Sequence, residues 1–174
     1  MKKRESVILV PILSAPPLLK DLRDRYDSNS LHGIPPHITI LFPFKNPDEI
    51  NEKDIDKLKK IFLRVKGFSF VLKRINTFPE VVYLEPSEKE KFINLTKEVM
   101  KDFPNYQPYE GKFTKINPHL TIGHELGERF NEALKNIRKE IEGKLPIKVK
   151  AQEVWLMKSE NGRWRLREKF PLLI

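Results

Sequence analysis

Apolar positions along the chain fall into runs of two periods. Val7-Ile8-Leu9-Val10 is an unbroken apolar run, the mark of a buried strand, and Pro16-Pro17 breaks the chain ahead of a helix carrying Leu18, Leu19 and Leu22. Ile38, Ile40 and Phe42 then alternate with His37, Thr39 and Leu41, so this stretch reads as a strand with one apolar face. Helical spacing follows at Ile55, Leu58, Ile61, Phe62 and Val65, with Gly67 as the stop. Residues 68–86 read as two strands turning around Asn76-Thr77, and the next segment as a helix opened by Ser87 with Phe92, Leu95, Val99 and Met100 inward. Pro104 to Asn117 has no period and reads as a loop. A strand through Thr121 follows, then a helix from about Glu128 to Glu142 with Phe130, Leu134, Ile137 and Ile141 inward. A strand runs from Ile147 towards Met157, and a hairpin turns at Asn161-Gly162.

These elements describe two strand-helix-strand units. No low-complexity linker separates them, and 174 residues suit one domain, 1–174, built of two lobes on a shared core. The opening residues, basic and then apolar up to Ser14-Ala15, resemble a secretory leader, but Pro11 interrupts a run already at minimum length, and a strand is the better reading. No apolar stretch approaches the length that spans a bilayer. A cytoplasmic protein with no membrane partner is expected.

Chemistry enters with a repeat. The chain has four histidines, and two of them stand in Pro36-His37-Ile38-Thr39-Ile40 and Pro118-His119-Leu120-Thr121-Ile122, one copy in each unit. On a strand, residues two apart project from one face, so each copy sets an imidazole beside a hydroxyl. Two such strands brought together make a cleft with paired imidazoles and hydroxyls, an inventory that suits phosphodiester cleavage. One neutral ring takes a proton from the nucleophile, the other, protonated, gives one to the leaving oxygen, and the hydroxyls hold phosphoryl oxygens. An imidazole populates both states near neutral pH. A structural duplication whose histidines only bond to backbone is the competing account.

Composition narrows the field. With no cysteine, a disulfide framework, a thiol nucleophile and thiolate metal sites are excluded. A net charge of +9 favours polyanionic partners, although a solvated lysine-rich surface explains it equally simply. His32 and His124 stand at odd offsets from the motif histidines, and no spacing resembles a metal-ligand set, so no metal or other cofactor is expected.

The paired His-x-Thr motifs resemble those of the 2H phosphoesterase superfamily, and the flanking "HGIPPHITILFPF" and "PYEGKFTKINPHLTIGH" are similar to its 2′-5′ RNA ligase-like branch. The resemblance extends from the first strand to the last hairpin. It implies an α+β fold of two pseudo-symmetric antiparallel sheets, with helices outside and a central cleft. It implies His37, Thr39, His119 and Thr121 as the catalytic and phosphate-binding residues, with His37 suggested as proton donor and His119 as acceptor. The activity implied is metal-independent opening of 2′,3′-cyclic phosphates, on RNA ends or cyclic nucleotides, to 2′-phosphomonoesters, with reversible 2′-5′ ligation in some members. A basic RNA-binding module on the same scaffold, without turnover, is the alternative. A monomer is expected.

Further residues are candidates for substrate contact. Tyr106, Tyr109 and Lys112 in the loop before the second motif offer a base-stacking surface and a phosphate contact, or simply cover the core. Phe44 is read as a border of the cleft and Phe42 as core. Arg163 and Arg165 share a face of the final hairpin with Arg167, opposite Trp164 and Leu166, and either grip an RNA backbone or protect an edge strand.

Overall fold

The computed structural model describes residues 4–174, so Lys2 and Lys3 of the leader-like stretch lie outside it. Among the described residues, eight strands form two antiparallel four-stranded sheets, the α+β arrangement the resemblance implies. The first sheet has the order β2-β1-β7-β8, from β1 (Ser6–Pro11), β2 (His37–Leu41), β7 (Glu153–Glu160) and β8 (Arg163–Pro171). The second has the order β5-β4-β3-β6, from β3 (Phe68–Phe78), β4 (Val81–Pro86), β5 (Leu120–Gly123) and β6 (Ile147–Ala151). Each sheet carries one motif strand, β2 or β5, at its edge.

The sheets do not follow the halves of the sequence. The β3-β4 hairpin, which follows the first motif, pairs through β4 with β5 and so belongs to the second motif's sheet, while β7 returns to pair with β1 and carries β8 on its other edge. The single strand expected from Ile147 to Met157 is two: Gln152 separates β6 from β7, and the chain changes sheet there. Both pieces are rich in strand formers, so the apolar pattern alone does not show the break. The first hairpin turns three residues later than Asn76-Thr77 suggested. Asn76 and Thr77 pair with Tyr83 and Val82 inside the ladder, and the turn falls at Pro79-Glu80, with Glu80 at φ 59°. The second hairpin does turn at Asn161-Gly162, both at positive φ, as a two-residue loop with that pair requires.

Five α-helices of the described residues pack on these sheets. In α1 (Pro17–Tyr26), Leu19 and Leu22 are buried, and a single-turn helix, α2 (Ser28–Leu31), follows. An Asn51–Asp54 capping box opens α3 (Glu52–Phe62), whose Ile55, Leu58, Ile61 and Phe62 are buried. Ser87 does not cap α4 (Lys89–Asp102); its hydroxyl accepts from the Val71 N–H at 3.1 Å, and Glu88 takes the cap position. Phe92, Leu95 and Val99 of α4 are buried as the pattern predicts, and so are Ala133, Ile137 and Ile141 of α5 (Phe130–Ile141). One apolar core runs through both sheets, from Ile8 and Val10 to Leu84 and Ile122.

Two helices cross to the opposite motif strand. Helix α1 packs on β5, and α4 packs on β2, where buried Thr96 donates its hydroxyl to the Ile40 carbonyl at 2.8 Å. The crossing brings β2 and β5 side by side, although they belong to separate ladders. Among the described residues, no helix is long and apolar enough to cross a membrane.

Candidate active site

His37 opens β2 and His119 immediately precedes β5. Their rings are anchored identically. Nδ1 of His37 lies 2.7 Å from the Pro35 carbonyl oxygen, and Nδ1 of His119 lies 2.7 Å from that of Asn117, the residue two positions earlier in each case. The proline between is what the two copies share. Pro36 and Pro118 fix their own φ and hold the preceding residue in extended conformation, so the acceptor carbonyl is aimed by the backbone. A carbonyl can only accept, which puts the proton on Nδ1 and leaves Nε2 as the nitrogen that exchanges protons.

Thr39 follows His37 on the same face of β2 and pairs across the ladder with Leu9; Thr121 pairs with Tyr83. Both threonines are half-buried. The structure therefore brings all four motif side chains to the seam between the two edge strands. A charge on His119 opposes protonation of His37.

The surroundings differ. Around His119, Phe78 stands edge-on at 5.2 Å and Tyr83 is tilted at the same centroid distance, with the two aromatic rings stacked at 4.4 Å. The Tyr83 hydroxyl accepts from Asn117 Nδ2 at 3.4 Å, Lys89 Nζ lies 3.4 Å from Asn117 Oδ1, and Glu85 pairs with Lys89 and Arg74 at 2.5 and 2.7 Å. Those two cations hold Glu85 down at about 2. Around His37 the dominant feature is a buried ion pair, Arg23 Nη2 to Asp27 Oδ2 at 2.8 Å, with Arg23 Nη1 donating to the Ile34 carbonyl at 3.1 Å. Arg23 Nε, also buried, has no hydrogen-bond partner among the described residues.

Both histidines are held below their ordinary range. Burial lowers His37 most and the Arg23 charge adds to it, bringing it to about 4 against the pull of the Pro35 carbonyl and Asp27. Burial also leads for His119, helped by His124 and Lys89 and opposed by the Asn117 carbonyl. In the free protein, burial favours the neutral form of both rings.

The other candidates are placed unevenly. Tyr109 donates its backbone N–H to the Phe42 carbonyl at 2.6 Å, which fastens the loop before the second motif to the end of β2. Burial raises its phenol. It adopts left-handed backbone at φ 52°, and its ring meets the exposed Phe113 at 5.5 Å. Tyr106 packs on Phe44 at 5.4 Å, and Lys112 is exposed beside Glu110 at 3.2 Å. Phe44 and Phe42 exchange their expected places: Phe44 is core, packed on Phe103 at 5.1 Å, and Phe42 is half-buried against Trp164 at 6.3 Å. Arg163 and Arg165 pair with Glu160 and Lys158, on the side of the sheet that carries Ile8 and Leu156, and so project away from the face of Thr39. His32 is exposed. Sequence reasoning missed Arg23 and Asp27, whose signal was two charges four apart on a helix whose other inward positions are leucines.

A model of the 2′-5′ RNA ligase superfamily matches residues 10–163. The chain belongs to that superfamily. Among its relatives, a Bacillus anthracis protein named "Putative phosphoesterase" is 32% identical over 158 residues, covering 87% of this chain and 86% of that protein. A protein of the same description from Bacillus mycoides is 31% identical over the same span. In fold, this 2′-5′ RNA ligase superfamily member is similar to E. coli LigT complexed with NADP+, with a TM-score of 0.55 at 15% identity over the whole of both chains. TT0787 of Thermus thermophilus gives 0.56 at 14% identity over 97% of each.

Proposed function

We propose that this protein opens 2′,3′-cyclic phosphates at RNA ends or on nucleotides, leaving a 2′-phosphomonoester. The observation that carries the reading is the matched pair of ring anchors, which present two Nε2 atoms of one tautomer at the seam between β2 and β5. A water oxygen attacks phosphorus and gives its proton to one neutral imidazole. The bond from phosphorus to O3′ breaks, and O3′ takes a proton from the other imidazole. Thr39 and Thr121 donate to the phosphoryl oxygens as charge builds on them.

One ring must be protonated for this, and the free protein favours neither. The anionic phosphodiester supplies the missing stabilisation, because a negative charge between the rings raises the affinity of both for a proton. The two anchors are equivalent, so the ring that is acid in one direction is base in the other; 2′-5′ ligation is the same forward step with an RNA 5′-hydroxyl attacking in place of water, and its reverse, attack of O3′ on the 2′-5′ diester, restores the cyclic phosphate and releases the 5′-hydroxyl.

Turnover of a short RNA ending in a 2′,3′-cyclic phosphate, followed with EDTA present, tests the reading. Loss of opening in both His37→Ala and His119→Ala, with a 2′-phosphate product from wild type, is the expected result. Folded wild type that binds the RNA without opening it overturns the reading in favour of a binding module.

A further inference from the structure

The first sheet carries a row of side chains that the proposed chemistry leaves unused. The ladders align Thr39 with Leu9, Leu9 with Trp155, and Trp155 with Lys169. Directly paired residues project from the same face, so the row crosses the whole sheet on the face of the first motif. With neighbouring strands about 4.8 Å apart, Trp155 stands about 10 Å and Lys169 about 14 Å from Thr39.

Trp155 is half-buried on an apolar bed of Val7, Leu9 and Met157. Its indole N–H donates to Glu153 at 2.6 Å, which fixes the ring and leaves its π surface as what it offers a ligand. Lys169 Nζ lies 5.0 Å from the ring centroid. A bulge in the β7-β8 ladder between Leu156 and Met157 shifts the alternation by one residue, so that Leu166, opposite Met157, also lies on this face, 41% exposed. An apolar, aromatic floor ending in a cation and beginning at a phosphate-binding hydroxyl is not a generic polyanion surface.

Resting on the function proposed above, we infer that Trp155 stacks the base of the nucleotide whose cyclic phosphate lies between the histidines. Lys169, on an exposed and flexible stem, leaves the ring and meets the phosphate of the preceding nucleotide. The substrate class is therefore an RNA end of at least two nucleotides. Stacking of this kind tolerates any base, since every base has a π face.

Fluorescence tests the stack without requiring turnover. The chain has two tryptophans, so in Trp164→Phe the emission reports Trp155 alone. A dinucleotide ending in a 2′-phosphate is expected to quench that emission, and inorganic phosphate is not. The difference between wild type and Trp155→Phe gives the same readout should Trp164→Phe not fold. In turnover of the dinucleotide ending in a 2′,3′-cyclic phosphate, Trp155→Ala is expected to raise KM about 5- to 150-fold, with the loss confined to KM. Lys169→Ala is expected to lower the salt slope of dinucleotide binding by about one. A dinucleotide that is bound while Trp155 emission stays constant, or turned over by Trp155→Ala at the wild-type KM, overturns the stack. Quenching by the dinucleotide without opening of any cyclic phosphate overturns the proposed function and leaves the stack standing; absence of both overturns both.

Discussion

Arg23 and Asp27 meet at 2.8 Å with side-chain exposures of 1% and 3%, one helical turn apart at the end of α1. Asp27 also accepts the Asn29 N–H at 3.1 Å and so starts α2, while Arg23 holds the Ile34 carbonyl, one residue before the carbonyl that anchors His37. The pair thus connects helix packing to the orientation of a motif ring. Arg23→Met leaves a buried carboxylate without its cation and is expected to destabilise the fold by about 3–5 kcal/mol, read from denaturant unfolding. A cost under about 1 kcal/mol would show that the pair is not a structural anchor.

The pH dependence of kcat/KM follows from the lowered histidines. This quantity reports the free enzyme, in which acid–base catalysis needs one ring neutral and one protonated. Both rings titrate below 6.5 in the free protein. The profile is therefore expected to peak on the acid side of neutrality and to fall as pH rises past it. An optimum near pH 8 for chemistry-limited turnover would contradict this.

Stability has its own pH signature. His37 titrates at about 4 when folded and near 6.5 when unfolded, so the unfolded chain binds the extra proton between those values. Its contribution is fully present above about 6.5 and is lost as pH falls towards 4, by about 3 kcal/mol at most. His37→Asn is expected to flatten the dependence of unfolding free energy on pH in that window, and an unaltered slope would count against it.

The prolines ahead of the histidines provide a separate check on ring orientation. Pro36→Ala or Pro118→Ala is expected to cost only about 0.4–1 kcal/mol in stability but to lower kcat by up to about 10²-fold, because the acceptor carbonyl is no longer held in line. Steady-state kinetics beside thermal unfolding separates the two effects. Equal losses in both would mean that the prolines act only on the fold.

Legibility of the fold followed the range of the interactions involved. Strand β1, helices α1, α3 and α5, and the Asn161-Gly162 turn were readable because neighbouring residues decide them. The transfer of β3 and β4 to the second motif's sheet was not, since pairing of Tyr83 with Thr121 joins distant segments and leaves no local pattern. At the site, the doubled motif named the four side chains but not what surrounds them. Phe42 and Phe44 share residue type and spacing, and only the end of β2 at Leu41 decides which of them turns into the core. Arg163 and Arg165 alternate in a way that suits either a phosphate grip or a guarded edge strand, and alternation alone does not say which of the two faces of the sheet they occupy. The register places Trp155 and Leu166 on the face of Thr39, and the two arginines on the other.

A histidine oriented by a carboxylate can lose its tautomer through one side-chain exchange. Here the acceptors are main-chain oxygens, of Pro35 and Asn117, which every amino acid possesses. Drift at the acceptor positions leaves the proton on Nδ1 as long as the path of the chain is kept. Sequences that have diverged widely around the two motifs can therefore retain the same pair of outward Nε2 nitrogens, with the proline before each histidine as the exposed point of failure.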